Sequence, residues 1–237
     1  MLKIERLTKK YGDVAAVSGL SLHIKPGEIY GFIGHNGAGK TTTLKSCVGI
    51  LDFDEGEILI DGVSIKESPL ECKKKFAYIP DNPDIYDYMT GDAYLNFICD
   101  VYKVGKEVRR ELIKKYADMF ELAGALSNPV ASYSHGMKQK LVIISALVHS
   151  PKLLIMDEPF VGLDPKASHT IKEEMRRICD AGGAIFFSTH VLEVAEKLCD
   201  KVAIIKEGKL IRSGTMEEVK GDESLESVFL ELEDANA

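Results

Sequence analysis

Eight consecutive residues, Gly34-His35-Asn36-Gly37-Ala38-Gly39-Lys40-Thr41, constrain this chain more than any other stretch. They place two glycines, a lysine and a hydroxyl residue at the spacing of a phosphate-binding loop. The flanks agree with that reading. Glu28 to Ile33 reads as a buried strand running into the loop, and Thr42 to Val48 continues as a helix. Backbone N–H groups at a helix N-terminus bind polyphosphate when no side chain blocks the approach. Gly34, Gly37 and Gly39 remove that obstruction, and Asn36 and Ala38 count with them as expected nucleotide-binding residues. Lys40 is expected to reach the terminal phosphates, Thr41 to offer a hydroxyl to Mg²⁺, and Thr42 to donate to an inner phosphate. A plain Gly-rich turn before a helix would not need Lys40-Thr41.

Composition narrows the setting. With 237 residues the chain suffices for one large domain or a core with a subdomain. A net charge of −7 argues against bulk electrostatic binding of nucleic acid, so no nucleic-acid partner is expected. No apolar run approaches the roughly 18 residues that would span a bilayer, and Met1 to Arg6 does not read as a signal peptide. The five cysteines, Cys47, Cys72, Cys99, Cys179 and Cys199, lack metal-ligand spacing. They read as reduced thiols in a cytoplasmic protein.

Along the chain, Leu2, Ile4 and Leu7, then Leu20, Leu22 and Ile24, alternate as strands do. Ile58 to Ile60 reads as a strand entering a hairpin at Asp61-Gly62, and Phe76 to Ile79 as a strand stopped by Pro80. Residues 93–103, 107–122 and 137–149 have helical periodicity, which places a helical subdomain at 84–150. Strand and helix then alternate: strands at 153–156, 184–187, 202–205 and 209–211, helices at 165–181 and 191–199. That order predicts a mostly parallel sheet with helices on its faces. From Met216 onward the chain is acidic and reads as a helix with a frayed end, giving three units: 1–83 with 151–215, 84–150, and the tail 216–237.

Leu153-Leu154-Ile155-Met156-Asp157-Glu158 is the second chemical signal. Four apolar residues make a buried strand, and two carboxylates stand at its C-terminal end, where open α/β sheets bind ligands. Asp157 is expected to hold Mg²⁺ and Glu158 to orient or polarise an attacking water. These two motifs imply a nucleoside triphosphate hydrolase.

Three further segments are more specific: Tyr133-Ser134-His135-Gly136-Met137 before the third long helix, Gly162-Leu163-Asp164-Pro165 after the carboxylates, and Ser188-Thr189-His190 at a strand end. With these, the chain resembles the ATP-binding subunits of ABC transporters over about residues 2–215, nearest to bacterial cassettes of the multidrug, antibiotic or peptide exporter type. The resemblance implies a phosphate-loop α/β core with a mostly parallel sheet, an N-terminal antiparallel β-subdomain and an inserted helical subdomain. It implies ATP and Mg²⁺ as cofactors, and as partners a second ATP-binding subunit and a separate transmembrane permease. The subunit would sit on the inner face of the cell membrane.

Residue by residue, it assigns Tyr11 to stacking on adenine, with an ordinary loop tyrosine as the alternative. Ser134 and Gly136 would meet the nucleotide of the opposite subunit, although Ser134 also suits a helix N-cap. Asp164 would cross the dimer interface or cap the helix that Pro165 begins. His190 would contact the γ-phosphate and attacking water. Lys40, Glu158 and His190 form the expected catalytic set. Two departures from the family pattern stand out: Asp81 replaces the usual glutamine that meets Mg²⁺, and Tyr133, His135 and Met137 replace the commoner Leu, Gly and Gln. Asp81 could equally be a turn residue between Pro80 and Pro83. A ribosome- or DNA-associated ATPase of the same type is the alternative function, disfavoured by a single cassette with no heptad stretch.

Overall fold

The computed structural model describes residues 1–234. Two sheets organise the chain. The first is antiparallel, in the order β2-β1-β4-β5, built from β1 (Leu2–Tyr11), β2 (Val14–Ile24), β4 (Glu55–Ile60) and β5 (Val63–Ser64). The second has the order β10-β9-β3-β8-β7-β6. Its members are β3 (Ile29–Ile33), β6 (Phe76–Ile79), β7 (Leu153–Asp157), β8 (Ala184–Thr189), β9 (Lys201–Lys206) and β10 (Lys209–Thr215). Only β10 runs antiparallel to its neighbour.

Every residue of β3, β7 and β8 is buried, so these strands read as continuous apolar runs rather than alternating ones. The side chains still divide by the period of two. Tyr30, Phe32, Leu153, Ile155 and Phe186 pack on one face with the antiparallel sheet and α1 (Lys40–Cys47). Ile33, Leu154, Met156, Ile185 and Phe187 pack on the other with the helices. The parallel sheet is therefore the middle layer, and its C-terminal edge carries the chemical motifs.

Between β6 and β7 run α3 (Gly91–Val101), α4 (Lys106–Met119), two short 3-10 turns and α5 (His135–Leu147). Leu141 to Leu147 of α5 are buried on all sides, as expected of a helix enclosed by others. The apolar cluster of this helical segment is continuous with that of the sheet face. α4 ends at Met119 rather than 122, and Glu121 takes a left-handed conformation (φ 56°) just beyond it. α2 (Pro69–Lys73) has only five residues, too few for periodicity to reveal it. No helix among the described residues is long and apolar enough to cross a membrane.

The acidic segment after 215 departs most from expectation. It forms α8 (Met216–Lys220) and α9 (Leu225–Asp234) after α6 (Pro165–Asp180) and α7 (Leu192–Leu198) have completed the second half of the core. A reciprocal capping box starts α8: the Glu218 N–H donates to Thr215 Oγ1 at 3.2 Å, and the Thr215 N–H donates to Glu218 Oε2 at 2.7 Å. Val219, Leu225, Val228 and Phe229 are all buried. The acidity conceals an apolar stripe at i, i+3 and i+4, and each such side chain contributes about 1.5–3 kcal/mol on burial. Of the expected frayed end, residues 235–237 lie outside the described residues.

Candidate nucleotide-binding site

Parallel-strand register decides which side chains meet. β8 lies between β3 and β7, so Ser188 falls opposite Phe32 on one side and Asp157 on the other. The phosphate loop leaves the end of β3 and enters α1, with Gly39 as the N-cap at φ 104°. A Cβ there would stand 2.4 Å from the Ala16 carbonyl oxygen, so both backbone angle and space require glycine. A cavity of about 220 Å³ opens over the loop. His35, Asn36, Gly37, Gly39, Lys40, Thr41 and Thr42 line it, with Ala16, Asp81, Asp157 and Glu158. The structure thus brings the loop, both motif carboxylates and Asp81 to one surface. Gly34 and Ala38 support the loop from behind. A side chain at 34 would meet the Ile205 carbonyl at 2.4 Å, and Ala38 is buried.

Lys40 is buried, and its ammonium folds over its own loop. Nζ donates to the carbonyls of Gly34 at 2.6 Å and His35 at 3.2 Å, and stands 3.6 Å from Glu158 Oε1. Glu158 adopts φ 47°, a left-handed conformation that costs a non-glycine residue about 1–2 kcal/mol. The turn aims its carboxylate into the site: Oε1 lies 3.0 Å from His190 Nδ1. His190 is half-exposed and does not line the cavity itself; it reaches the site through Glu158. Neither approach to Glu158 Oε1 has hydrogen-bond geometry, which leaves that buried oxygen open to a further donor.

Ser188 enters the sequence reading only within the segment that ends in His190, with no role of its own. Fully buried, its hydroxyl donates to Asp157 Oδ1 at 2.5 Å and accepts from the Glu158 N–H at 3.0 Å. One side chain thus holds the Asp157 carboxylate and the Glu158 backbone. The available signal is a hydroxyl at the end of an otherwise apolar strand. Burial pushes the phenol pKa of Tyr78 upward, reinforced by the charges of Asp157 and Asp81.

The metal fit can be judged from Asp157. Its Oδ2 is buried with no hydrogen-bond partner, and burial raises the carboxyl pKa against the opposing pull of the Ser188 and Thr41 hydroxyls. An unpaired, desolvated carboxylate oxygen beside a hydroxyl suits a hard divalent cation. Among the described residues there is no cluster of three or more His, Cys, Asp or Glu that could hold a metal. Asp157→Asn is accordingly expected to raise the thermal midpoint of the nucleotide-free protein by about 2–4 °C, as ~1 kcal/mol does at this size, while removing Mg²⁺-dependent hydrolysis. Calorimetry checks the first effect, and a lowered midpoint would show that the carboxylate charge is already compensated.

The remaining predicted residues lie off the cavity. Tyr11 is 53% exposed near the β1–β2 turn, with Lys9 Nζ 5.3 Å from its ring centre. Ser134 is the N-cap of α5, accepting from the Met137 N–H at 3.3 Å. Asp164 caps α6 by accepting from the Ala167 N–H at 2.8 Å, and its other oxygen pairs with Lys140 Nζ at 2.6 Å. These two cap regions touch: a Cβ at Gly136 would stand 2.9 Å from the Gly162 carbonyl. Ser134, Gly136 and Asp164 therefore form a second surface that contributes nothing to this chain's own phosphate cavity.

A phosphate loop at a parallel-sheet edge, with a buried Asp157 and an adjoining Glu158 across from its lysine, defines a nucleoside triphosphatase. The family model described as ABC transporter matches residues 17–161. The ABC-type transporter ATP-binding protein EcsA of Bacillus subtilis is 33% identical, with 98% of this chain and 96% of that protein covered. The linearmycin resistance ATP-binding protein LnrL of the same organism is 34% identical over 91% of this chain and 69% of its own length. A solved structure described as the ATP-binding subunit of an ABC transporter superposes with a TM-score of 0.95 at 32% identity, covering 98% of this chain and 99% of the other. The chain belongs to the ABC transporter ATP-binding family, and is an ATP-hydrolysing subunit of such a transporter.

Proposed function

We propose that this subunit powers an exporter, working as one of two cassettes on the inner face of the cell membrane. The observation that carries the reading is the separation of the two surfaces. The phosphate cavity is open, and Ser134, Gly136 and Asp164 sit together elsewhere. Two chains paired head to tail would bring each such surface over the other's cavity, an isologous arrangement if the chains are identical. The Ser134 hydroxyl and the N-terminus of α5 would then face the γ-phosphate, and Asp164 would lie in the interface. Tyr11 would stack on adenine.

The loop N–H groups and Lys40 bind and orient the triphosphate. Thr41, Asp157 and Asp81 would hold Mg²⁺, which when bound neutralises charge on the β- and γ-phosphates. Glu158 takes the proton of the attacking water, and His190, 3.0 Å from it, holds that carboxylate and meets the γ-phosphate. Closing the pair excludes water from the reacting oxygens, and hydrolysis reopens it.

Contact with a transmembrane permease is supported by an exposed aromatic patch that follows Asp81. Tyr88 is 83%, Tyr86 48% and Phe97 42% exposed, and Tyr86 packs against both other rings. Such patches mark interaction sites, and this one lies a few residues from a cavity-lining group. Export is supported by the names of relatives, one a linearmycin resistance ATP-binding protein and another a probable multidrug ABC transporter ATP-binding protein. Purification from membranes tests the whole reading. Recovery with a multi-span protein whose presence stimulates ATP hydrolysis is expected, and exclusive recovery with ribosomes or DNA would overturn it.

A further inference from the structure

We propose that Phe229 is a positioning residue for the phosphate loop, so that α9 helps set nucleotide affinity. The proposal rests on the nucleotide-site reading above. Phe229 is 5% exposed and presents its ring to the imidazole of His35, edge to face, with centres 5.0 Å apart at 67°. His35 is the second residue of the phosphate loop. It lines the 220 Å³ cavity, and its carbonyl accepts from Lys40 Nζ at 3.2 Å.

His35 to Ala38 also border a second cavity of about 250 Å³, lined by Ile205, Lys206 and Glu207. An aromatic edge contact orients the imidazole it meets, and the same residue supplies a carbonyl that receives Lys40 Nζ. α9 is itself anchored. Glu196 of α7 accepts from the Leu225 N–H at 3.2 Å and pairs with Lys220 Nζ at 2.7 Å, and Leu225 is fully buried. The helix thus ties the loop to α7, which begins two residues after His190.

A set of variants separates positioning from plain stability. Phe229→Leu keeps most of the buried volume and loses the ring, Phe229→Tyr keeps the ring, and Ile113→Ala creates a cavity in α4, in the helical segment between β6 and β7. ATP dissociation constants are measured by calorimetry on the folded proteins, beside thermal midpoints, KM and kcat. Phe229→Leu is expected to weaken ATP binding about two- to tenfold and to raise KM with little change in kcat. Phe229→Tyr should bind as wild type. Ile113→Ala should lower the midpoint and leave affinity in place. In a His35→Ala background the Phe229→Leu effect should vanish. Wild-type affinity in Phe229→Leu, or an equal loss in Ile113→Ala, overturns the proposal. Lys40→Ala run in parallel distinguishes the two levels: if it too binds ATP normally, the nucleotide-site reading has failed as well.

Discussion

Glu158→Gln is expected to lower ATP turnover by about 10²–10⁴-fold, the range a positioned general base supplies, while ATP binding persists. The substitution preserves shape and the strained φ of 47° but leaves no group able to accept the proton of the attacking water. The neighbours define the loss. Glu158 Oε1 lies 3.0 Å from His190 Nδ1 and 3.6 Å from the Lys40 ammonium, and an amide there keeps the side chain's shape without its charge. A chain that binds ATP and cannot cleave it should accumulate as a closed pair. Phosphate release assays measure the first effect and gel filtration with ATP the second. Turnover within about threefold of wild type would remove Glu158 from the proton-transfer step.

Lys40→Ala should act on binding instead. The ammonium is 6% exposed and supplies the positive charge directly over the loop, where it donates to two loop carbonyls. Truncating one partner of a buried charge pair costs about 2–5 kcal/mol, so ATP affinity should fall at least about 30-fold. Two further effects should accompany it. The nucleotide-free protein should lose some stability, because the carbonyls of Gly34 and His35 lose their donor and Glu158 loses a cation 3.6 Å away. Lys40→Arg should rescue poorly, since the planar guanidinium does not fit a pocket shaped for a compact ammonium. Unchanged affinity in Lys40→Ala would count against the phosphate-loop assignment.

Much of the site was legible because its chemistry is local. Gly34 to Thr41 specify their own turn, and Ser134 and Asp164 each cap the helix that follows them. The strand preceding Asp157 is continuous, buried and apolar. The role of Ser188 was not legible, since it depends on which strand neighbours β7. β8 supplies Ser188 from 31 positions away, and no local pattern encodes that pairing. The segment after 215 is helical as its sequence suggests, but its division into two packed helices was not legible, for a different reason. Its charge dominates its composition, whereas its packing depends on four buried apolar positions.

By itself the sequence determined that this chain binds a nucleoside triphosphate, that its sheet is mostly parallel, and which residues stand at the strand ends. These follow from short-range rules: glycine conformations, helix caps, and apolar runs long enough for a buried strand. Tertiary structure alone decided what lies next to what. Strand order set Ser188 against the Asp157 carboxylate and the Glu158 backbone, the caps at Ser134 and Asp164 came to lie off the phosphate cavity, and α9 came to rest against His35. Such contacts join residues far apart in the chain, and their free energy comes from burial and register that exist only once the sheet has formed.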